Sequence, residues 1–489
     1  MNAMTPLLRK RTGSYYTPEA VVESIVSWAV RSDDERLLDP SCGDGRFIAA
    51  HPNSVGIEQN PIAAREASER APWSLVREGD FFQWAEGTPE RFECAAGNPP
   101  FIRYQTFKGE VRARALALCE RHGAKFSGLT SSWAPFLVAA ATLLKPGGRM
   151  AFVVPAEIGH APYAAPLLDY LVGNFARVQV VAVREKLFAD LSEDCWLLYA
   201  EGFGERTDQI AFTVQDRFQW NTRPPRATEL VPVTEWREVW NRRLRPLLLA
   251  REARELYRAA AVHPASRRFT DFAGVGIGYV SGDNAFFHFR PSEAEHWGIP
   301  AELLHPTVRN SRALPARRIT PDTVRGWRSA DDPALLLRLT RGQALPPGVK
   351  RYLDSDAGQI ARQAYKCRTR DPWYAVPDVQ VPDFIMSYMS GRSANLVRNA
   401  AGVTCTNTVH SVRIRDAALA AKLLPSWGTP FAQLSCEVEG HALGGGMLKL
   451  EPREAGRVLF PADALARDLD APAIREGVET MRRWRHYAQ

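Results

Sequence analysis

The sequence has no C-x-x-C pair and no Cys/His cluster at metal-ligand spacing. Its seven cysteines stand singly at 42, 94, 119, 195, 367, 405 and 436. This pattern indicates neither a disulfide framework nor a zinc site, and it fits a reducing compartment. No apolar run approaches the ~20 residues of a membrane-spanning helix, and MNAMTPLLRKRTG lacks the apolar core of a secretory leader. Secretion and membrane insertion are therefore not expected, and the cytoplasm is the expected location. Repeats and low-complexity tracts are also missing. The net charge is small, 62 Lys plus Arg against 55 Asp plus Glu over 489 residues, too little for a polybasic tail. Its distribution is more informative. Residues 1–220 hold 23 basic and 27 acidic side chains, whereas residues 221–489 hold 39 and 28, so the halves carry −4 and +11. The basic half is the one expected to face a polyanion.

What is present is an alternation of short apolar strands, at 36–39, 54–58, 74–78 and 92–97, with helical patterns such as EAVVESIVSWAVR (19–31) and NPIAAREASERA. Further on, SSWAPFLVAAATLLKPGGRMAFVVP reads as a helix, a Pro-Gly-Gly turn and a strand, and two more strands are expected near 178–183 and 195–200. The alternation predicts an α/β fold with a doubly wound, mostly parallel sheet. Prolines, tryptophans and arginines mix over 215–250, and the boundary is expected there. The expected division is a cofactor-binding catalytic domain at 1–220, a connection at 221–265 and a mixed α+β domain at 266–489.

The acids that close the strands carry the first chemical signal. RLLDPSCGDGRF ends a strand at Asp39 and turns through Gly43 and Gly45 into a helix, a loop able to bring backbone N–H groups to a polar ligand. Its spacing is not G-x-G-x-x-G, and a carboxylate at Asp39 repels a pyrophosphate, which disfavours a dinucleotide. Glu58 ends the second strand, where it can accept from both ribose hydroxyls. Asp80 follows the third and can accept from an adenine amino group, with Phe81 beside it for the purine ring. Three acids in register outline a pocket for a nucleoside with a charged amino-acid tail and no phosphates, and S-adenosyl-L-methionine has that form.

A second signal is ECAAGNPPFIRY, in which the fourth strand ends at Asn98-Pro99-Pro100-Phe101. An exocyclic amine is a poor nucleophile because its lone pair is conjugated with the ring. If the Asn98 side-chain oxygen and the Pro99 carbonyl accept both amine hydrogens, the nitrogen rehybridises and its lone pair points at a sulfonium methyl. The prolines hold the acceptors rigid, and no metal or covalent intermediate is needed. Phe101 offers a face on which a planar base can stack.

The ordered set GSYYTP (13–18), DPSCGDGRF (39–47), GIEQN (56–60), GDFF (79–82), NPPF (98–101) and LKPGGRMAFVVP (144–155) resembles the TaqI-like, gamma-class adenine-N6 DNA methyltransferases. The resemblance implies a class I S-adenosylmethionine-dependent methyltransferase fold and a C-terminal target-recognition domain. It further implies that Thr17 and Asp39 contact the methionine part of the cofactor, that Ser41 and Gly43 line the loop, and that Phe136 packs on the cofactor adenine from the side opposite Phe81. Phe188 takes the place of the aromatic that sandwiches the extruded target base against Phe101. Phenylalanine stands where the family more often has tyrosine, which removes a hydroxyl and keeps the stacking face.

In the basic half, AYKCRTRDPWY (364–374) interleaves Lys366, Arg368 and Arg370 with Trp373 and two tyrosines, a mixture suited to phosphate and base-edge contacts. Double-stranded DNA is the expected partner, with one adenine flipped out of the stack and a separately encoded cognate restriction endonuclease as a further expected partner. The rivals are an RNA adenine, a protein glutamine amide and the cytosine-N4 amine. Cytosine-C5 chemistry is disfavoured because no Pro-Cys dipeptide occurs. A fused nuclease of the PD-(D/E)-x-K kind is disfavoured because none of the nine lysines has an acid two positions earlier.

Overall fold

Apolar residues at helical spacing bury one side of α1 (Glu19–Ala29), which starts after Pro18. Four short strands follow, β1 (Leu37–Asp39), β2 (Ser54–Glu58), β3 (Leu75–Glu78) and β4 (Phe92–Gly97), separated by α2 (Arg46–Ala49), α3 (Pro61–Arg70) and α4 (Phe81–Gly87). Helices α3 and α4 begin at side-chain caps. Asn60 accepts from the Ile62 N–H at 2.9 Å and Asp80 from the Gln83 N–H at 2.8 Å, satisfying amides that a helix leaves open. Next come α5 (Gly109–Arg121), α6 (Trp133–Thr142), β5 (Leu144–Pro155), α7 (Ala165–Asn174), β6 (Phe175–Val183), β7 (Cys195–Phe203), β8 (Gln209–Gln215), β9 (Glu229–Pro232) and α8 (Val233–Glu238). This computed structural model describes residues 16–188, 191, 193–415, 417–465 and 471–487. Gly13, Ser14 and Tyr15 of the first motif lie outside the described residues.

The nine strands form one sheet in the order β3-β2-β1-β4-β5-β7-β6-β8-β9. From β3 to β5 every pairing is parallel, β7 runs antiparallel to both β5 and β6, and β8 returns parallel to β6. The chain winds outward from β1 in one direction and from β4 in the other. The crevice beyond the carboxyl ends of β1 and β4 is therefore the switch point at which open α/β sheets bind ligands. Asp39 ends β1, and Asn98 directly follows β4. A Cβ on Gly97 would meet Asp39 Oδ1 at 2.6 Å, so glycine at this position is what lets the two strand ends approach.

Strands β8 and β9 were not foreseen from the sequence. The chain divides into units at 1–249 and 250–489. The stretch read as a connection is shared out: β9 and α8 fall in the first unit, and α9 (Arg251–Val262) in the second.

The second unit is mixed α and β. Five of its strands, β10 (Ala273–Ile277), β11 (Arg318–Ile319), β12 (Phe384–Ser387), β13 (Leu396–Asn399) and β14 (Val409–Ile414), pair in the order β10-β14-β12-β13-β11. Its faces cover separate apolar clusters. One contains Phe384, Met386 and Val412, and the other Ile319, Ile385 and Val397. Two helices, α10 (Pro430–Glu439) and α11 (Pro472–Trp484), flank a buried ion cluster. Arg485 donates to both carboxylate oxygens of Glu437 at 2.8–3.2 Å, to the Arg392 carbonyl at 3.1 Å and to the Gly446 carbonyl. A Cβ on Gly446 would meet the backbone of His486 and Tyr487 at 2.9 Å, so this glycine serves close packing inside the unit.

Candidate active site

A cavity of about 550 Å³ opens at the β1/β4 switch point, within the size range of small-molecule sites. Thr17, Asp39, Ser41, Gly43, Glu58, Asp80, Phe81 and Phe136 all line it, together with Asn98 and Pro100. Residues drawn from six separated stretches of sequence thus meet in one space. Asp39 is 1% exposed. Its Oδ1 accepts the Ser41 N–H at 3.1 Å, and its Oδ2 is buried without a hydrogen-bond partner. Burial, and to a lesser degree the nearby Glu58 and Asp44 carboxylates, push its pKa up to about 8. An orphaned carboxylate oxygen against a cavity is a strong acceptor for a cationic amine.

Glu58 organises the loop opposite it. Its Oε2 accepts the Gly43 N–H at 2.9 Å and its Oε1 the Asn60 N–H at 2.8 Å. These bonds partly offset the burial that raises its pKa. Asp80 has one oxygen engaged as the cap of α4 and lies 3.7 Å from the Arg114 guanidinium.

The aromatic wall differs from expectation in one respect. Phe81 and Phe136 stack directly on each other, with centroids 5.4 Å apart and planes 17° off parallel. A purine between them needs roughly 7 Å, two stacking contacts of about 3.5 Å each. The two rings therefore form one wall, and Phe136 does not cover a purine from the opposite side.

The Asn98–Phe101 loop is fixed from three directions. The Ser41 hydroxyl donates to the Asn98 carbonyl at 3.4 Å. Ser132, fully buried just before α6, donates from its hydroxyl to the Pro100 carbonyl, accepts the Ile102 N–H at 3.0 Å, and sends its own N–H to the Ile102 carbonyl at 2.9 Å. Phe101 packs against the cluster that holds Phe188, itself 7% exposed. Phe188 is a core side chain in this state, and neither ring lines the cavity. A base can stack on Phe188 only if that cluster opens.

Two contributors went unnoticed in the sequence. One is Ser132, the other Arg46. Arg46 donates to the Thr17 carbonyl at 3.2 Å, pairs with Asp44 at 3.1 Å and lies 5.2 Å over the Tyr16 ring, tying the Tyr-Thr-Pro segment to the loop that follows β1. Neither is recognisable from local pattern, because the backbone groups they hold lie 29 to 32 residues away.

Three family models match the chain: "N-6 DNA Methylase" over residues 1–71, "Eco57I restriction-modification methylase" over 56–188, and "Type II methyltransferase M.Eco57I, C-terminal domain" over 241–487. The last alone spans half of the chain. The protein belongs to the M.Eco57I-type adenine-N6 DNA methyltransferases. Its reaction is the S-adenosylmethionine-dependent methylation of adenine N6 in DNA, which sets aside RNA adenine, protein glutamine and cytosine-N4. The Type II methyltransferase M.XamI of Xanthomonas campestris pv. amaranthicola is 24% identical over 469 residues, covering 92% of this chain and 85% of that protein. M.TthHB8I of Thermus thermophilus is 29% identical over 154 residues, 29% of this chain and 35% of its own length. The Type IIL restriction-modification enzyme MmeI, solved in complex with DNA, superposes with a TM-score of 0.56 at 12% identity over 98% of this chain and 76% of its own, which shows a shared fold.

In the second unit, the methyltransferase divides the four residues expected to meet DNA. Lys366 and Arg368 are exposed on a single helical turn, Tyr365–Arg368. Arg370 instead donates to the carbonyls of Ser281 and Val280 at 2.6 and 2.5 Å. Trp373 packs on Phe286 and Phe287, with centroids at 5.6 and 6.4 Å. Both hold the loop to its own unit, so their side chains are committed before any DNA arrives. Among the described residues no three His, Cys, Asp or Glu side chains group to hold a metal, and no helix is long and apolar enough to cross a membrane.

Proposed function

We propose that the enzyme is a site-specific methyltransferase acting on one flipped adenine of duplex DNA, with Asn98, Pro99, Pro100 and Phe101 as its catalytic loop. The observation that carries this reading is the meeting of the partnerless Asp39 oxygen and the Asn98 loop at one cavity. Asp39 and the loop near Thr17 hold the amino-acid end of S-adenosylmethionine, Glu58 the ribose hydroxyls, and Asp80 with Phe81 the adenine. When bound, the cofactor supplies an electrophilic methyl on sulfur.

The Asn98 side-chain oxygen and the Pro99 carbonyl accept hydrogen bonds from the two N–H groups of the target amine and free its lone pair. The target nitrogen, held by these two acceptors, would use that lone pair to take the methyl and would give up one proton to water. Ser132 fixes the neighbouring Pro100 carbonyl, so the loop enters the reaction already oriented. Phe101 receives the flipped base, and Phe188 joins it only once their shared cluster has opened. A cognate restriction endonuclease encoded separately is the expected counterpart in the cell.

The test is expression in a host without DNA methylation, followed by single-molecule mapping of N6-methyladenine. One methylated motif is expected from the native chain and none from Asn98→Ala, while purified Asn98→Ala still binds the cofactor. Methylation by the variant at the native level would defeat the assignment of the loop.

A further inference from the structure

Residues 309–318, RNSRALPARR, contain four arginines and no carboxylate. They end at β11, an edge strand of the five-stranded sheet. There Arg318 stands in direct parallel register with Arg398 of β13, so the two side chains leave the same face, and both are exposed. The Arg398 N–H donates to the Arg317 carbonyl at 3.0 Å.

Like charges at paired strand positions oppose sheet formation. The register is nevertheless set by the core: Ile319, Val397 and Ile385 are fully buried on the other face, and a one-residue slip would exchange arginines for isoleucine. Arg309, Arg312, Arg317, Arg318 and Arg398 make no ion pair among the described residues, whereas exposed arginines elsewhere in the unit do, as in Arg325 with Asp322 and Arg341 with Asp371. The turn bearing Arg312 is rigid, since Asn310 Oδ1 accepts the Arg312 N–H at 3.0 Å and the Thr406 and Thr408 hydroxyls both donate to the Arg309 carbonyl. The fold thus holds unneutralised guanidinium groups side by side on fixed backbone.

We propose that this arginine edge, centred on Arg318 and Arg398, is the surface on which the second unit takes the phosphate backbone of its DNA substrate. The proposal rests on duplex DNA being that substrate. Guanidinium groups match phosphate geometry in pairs, and such contacts position the duplex without reading its sequence.

The test uses the full chain and a duplex carrying its methylation site, with affinity measured against KCl concentration. Each neutralised phosphate contributes about 0.9 to the slope of log affinity against log salt. The double variant Arg318→Gln/Arg398→Gln is therefore expected to flatten the slope by about 2 and to weaken binding roughly tenfold or more, with cofactor affinity and the methylated motif unchanged. Arg318→Lys/Arg398→Lys keeps the charges and is expected to keep the slope, which separates charge from any loss of folding. Arg77→Gln, an exposed arginine of the first unit paired with Glu90, controls for general charge loss. A slope unchanged in the glutamine pair, in protein with native thermal stability, overturns the proposal. Absence of N6-methyladenine from native-chain DNA overturns instead the functional reading beneath it.

Discussion

Asp39 is a buried carboxyl whose position costs stability, and on the proposed function that cost serves cofactor binding. Its carboxyl is raised in the folded chain, from 3.8 to about 8, so folding favours its protonated form. The stability this provides is complete below pH ~4 and is lost as pH rises through about 8. Asp39→Asn, neutral at every pH, should therefore raise the melting temperature of the ligand-free enzyme by a margin that grows from pH 5 to pH 8 and then levels off. It should also abolish cofactor binding, and a margin independent of pH would contradict this account. The same shift predicts that binding S-adenosylmethionine near pH 7 releases close to one proton, readable by titration calorimetry in buffers of different ionisation enthalpy, and that affinity falls as pH drops below 8. The strand-end acids were legible in the sequence because each follows a short apolar run. The direct stacking of Phe81 on Phe136 was not, because two rings 55 positions apart carry no sign of how closely they meet.

At the scale of elements, α6 joins both halves of the site. Its leading Ser132 clasps the Pro100–Ile102 backbone, and one turn later Phe136 lines the cavity at the β1/β4 switch point. Ser132→Ala removes a buried hydroxyl and leaves the Pro100 carbonyl and the Ile102 N–H without it. Turnover is expected to fall by about 10- to 100-fold, the range of a positioning error near the chemistry, while cofactor affinity stays within a factor of about three. A parallel loss of cofactor binding would point to general damage to α6. Strands β1 to β4 and their helices were readable from apolar period and caps. The antiparallel insertion of β7 between β5 and β6 was not, since its apolar run looks the same in either direction. Strands β8 and β9 flank a proline- and arginine-rich stretch whose composition reads as a boundary, although the sheet continues through it.

For the whole molecule, the charge asymmetry says which half is basic but not which of its arginines are free: Arg370 donates to the carbonyls of Ser281 and Val280. In the second unit, Arg485 is fully buried against Glu437. Arg485→Ala would remove the closest cation from that buried carboxylate, leaving Arg482 at 3.9 Å, and is expected to cost about 3–5 kcal/mol in the denaturant unfolding of this unit. Cofactor affinity, a property of the first unit, should not change, and a smaller cost with native DNA binding would show the cluster to be dispensable. The sequence by itself determined the α/β class and which strand-end residues, Asp39, Glu58, Asp80 and Asn98, meet at one cavity, because each is written in neighbouring residues whose spacing follows strand and helix periods. Only the tertiary structure decided that Arg370 and Trp373 face inward while Arg318 and Arg398 stand together at an open edge. A guanidinium reads the same in sequence whether its partner is a carbonyl 90 residues away or a phosphate outside the chain, and burial and register alone distinguish the two.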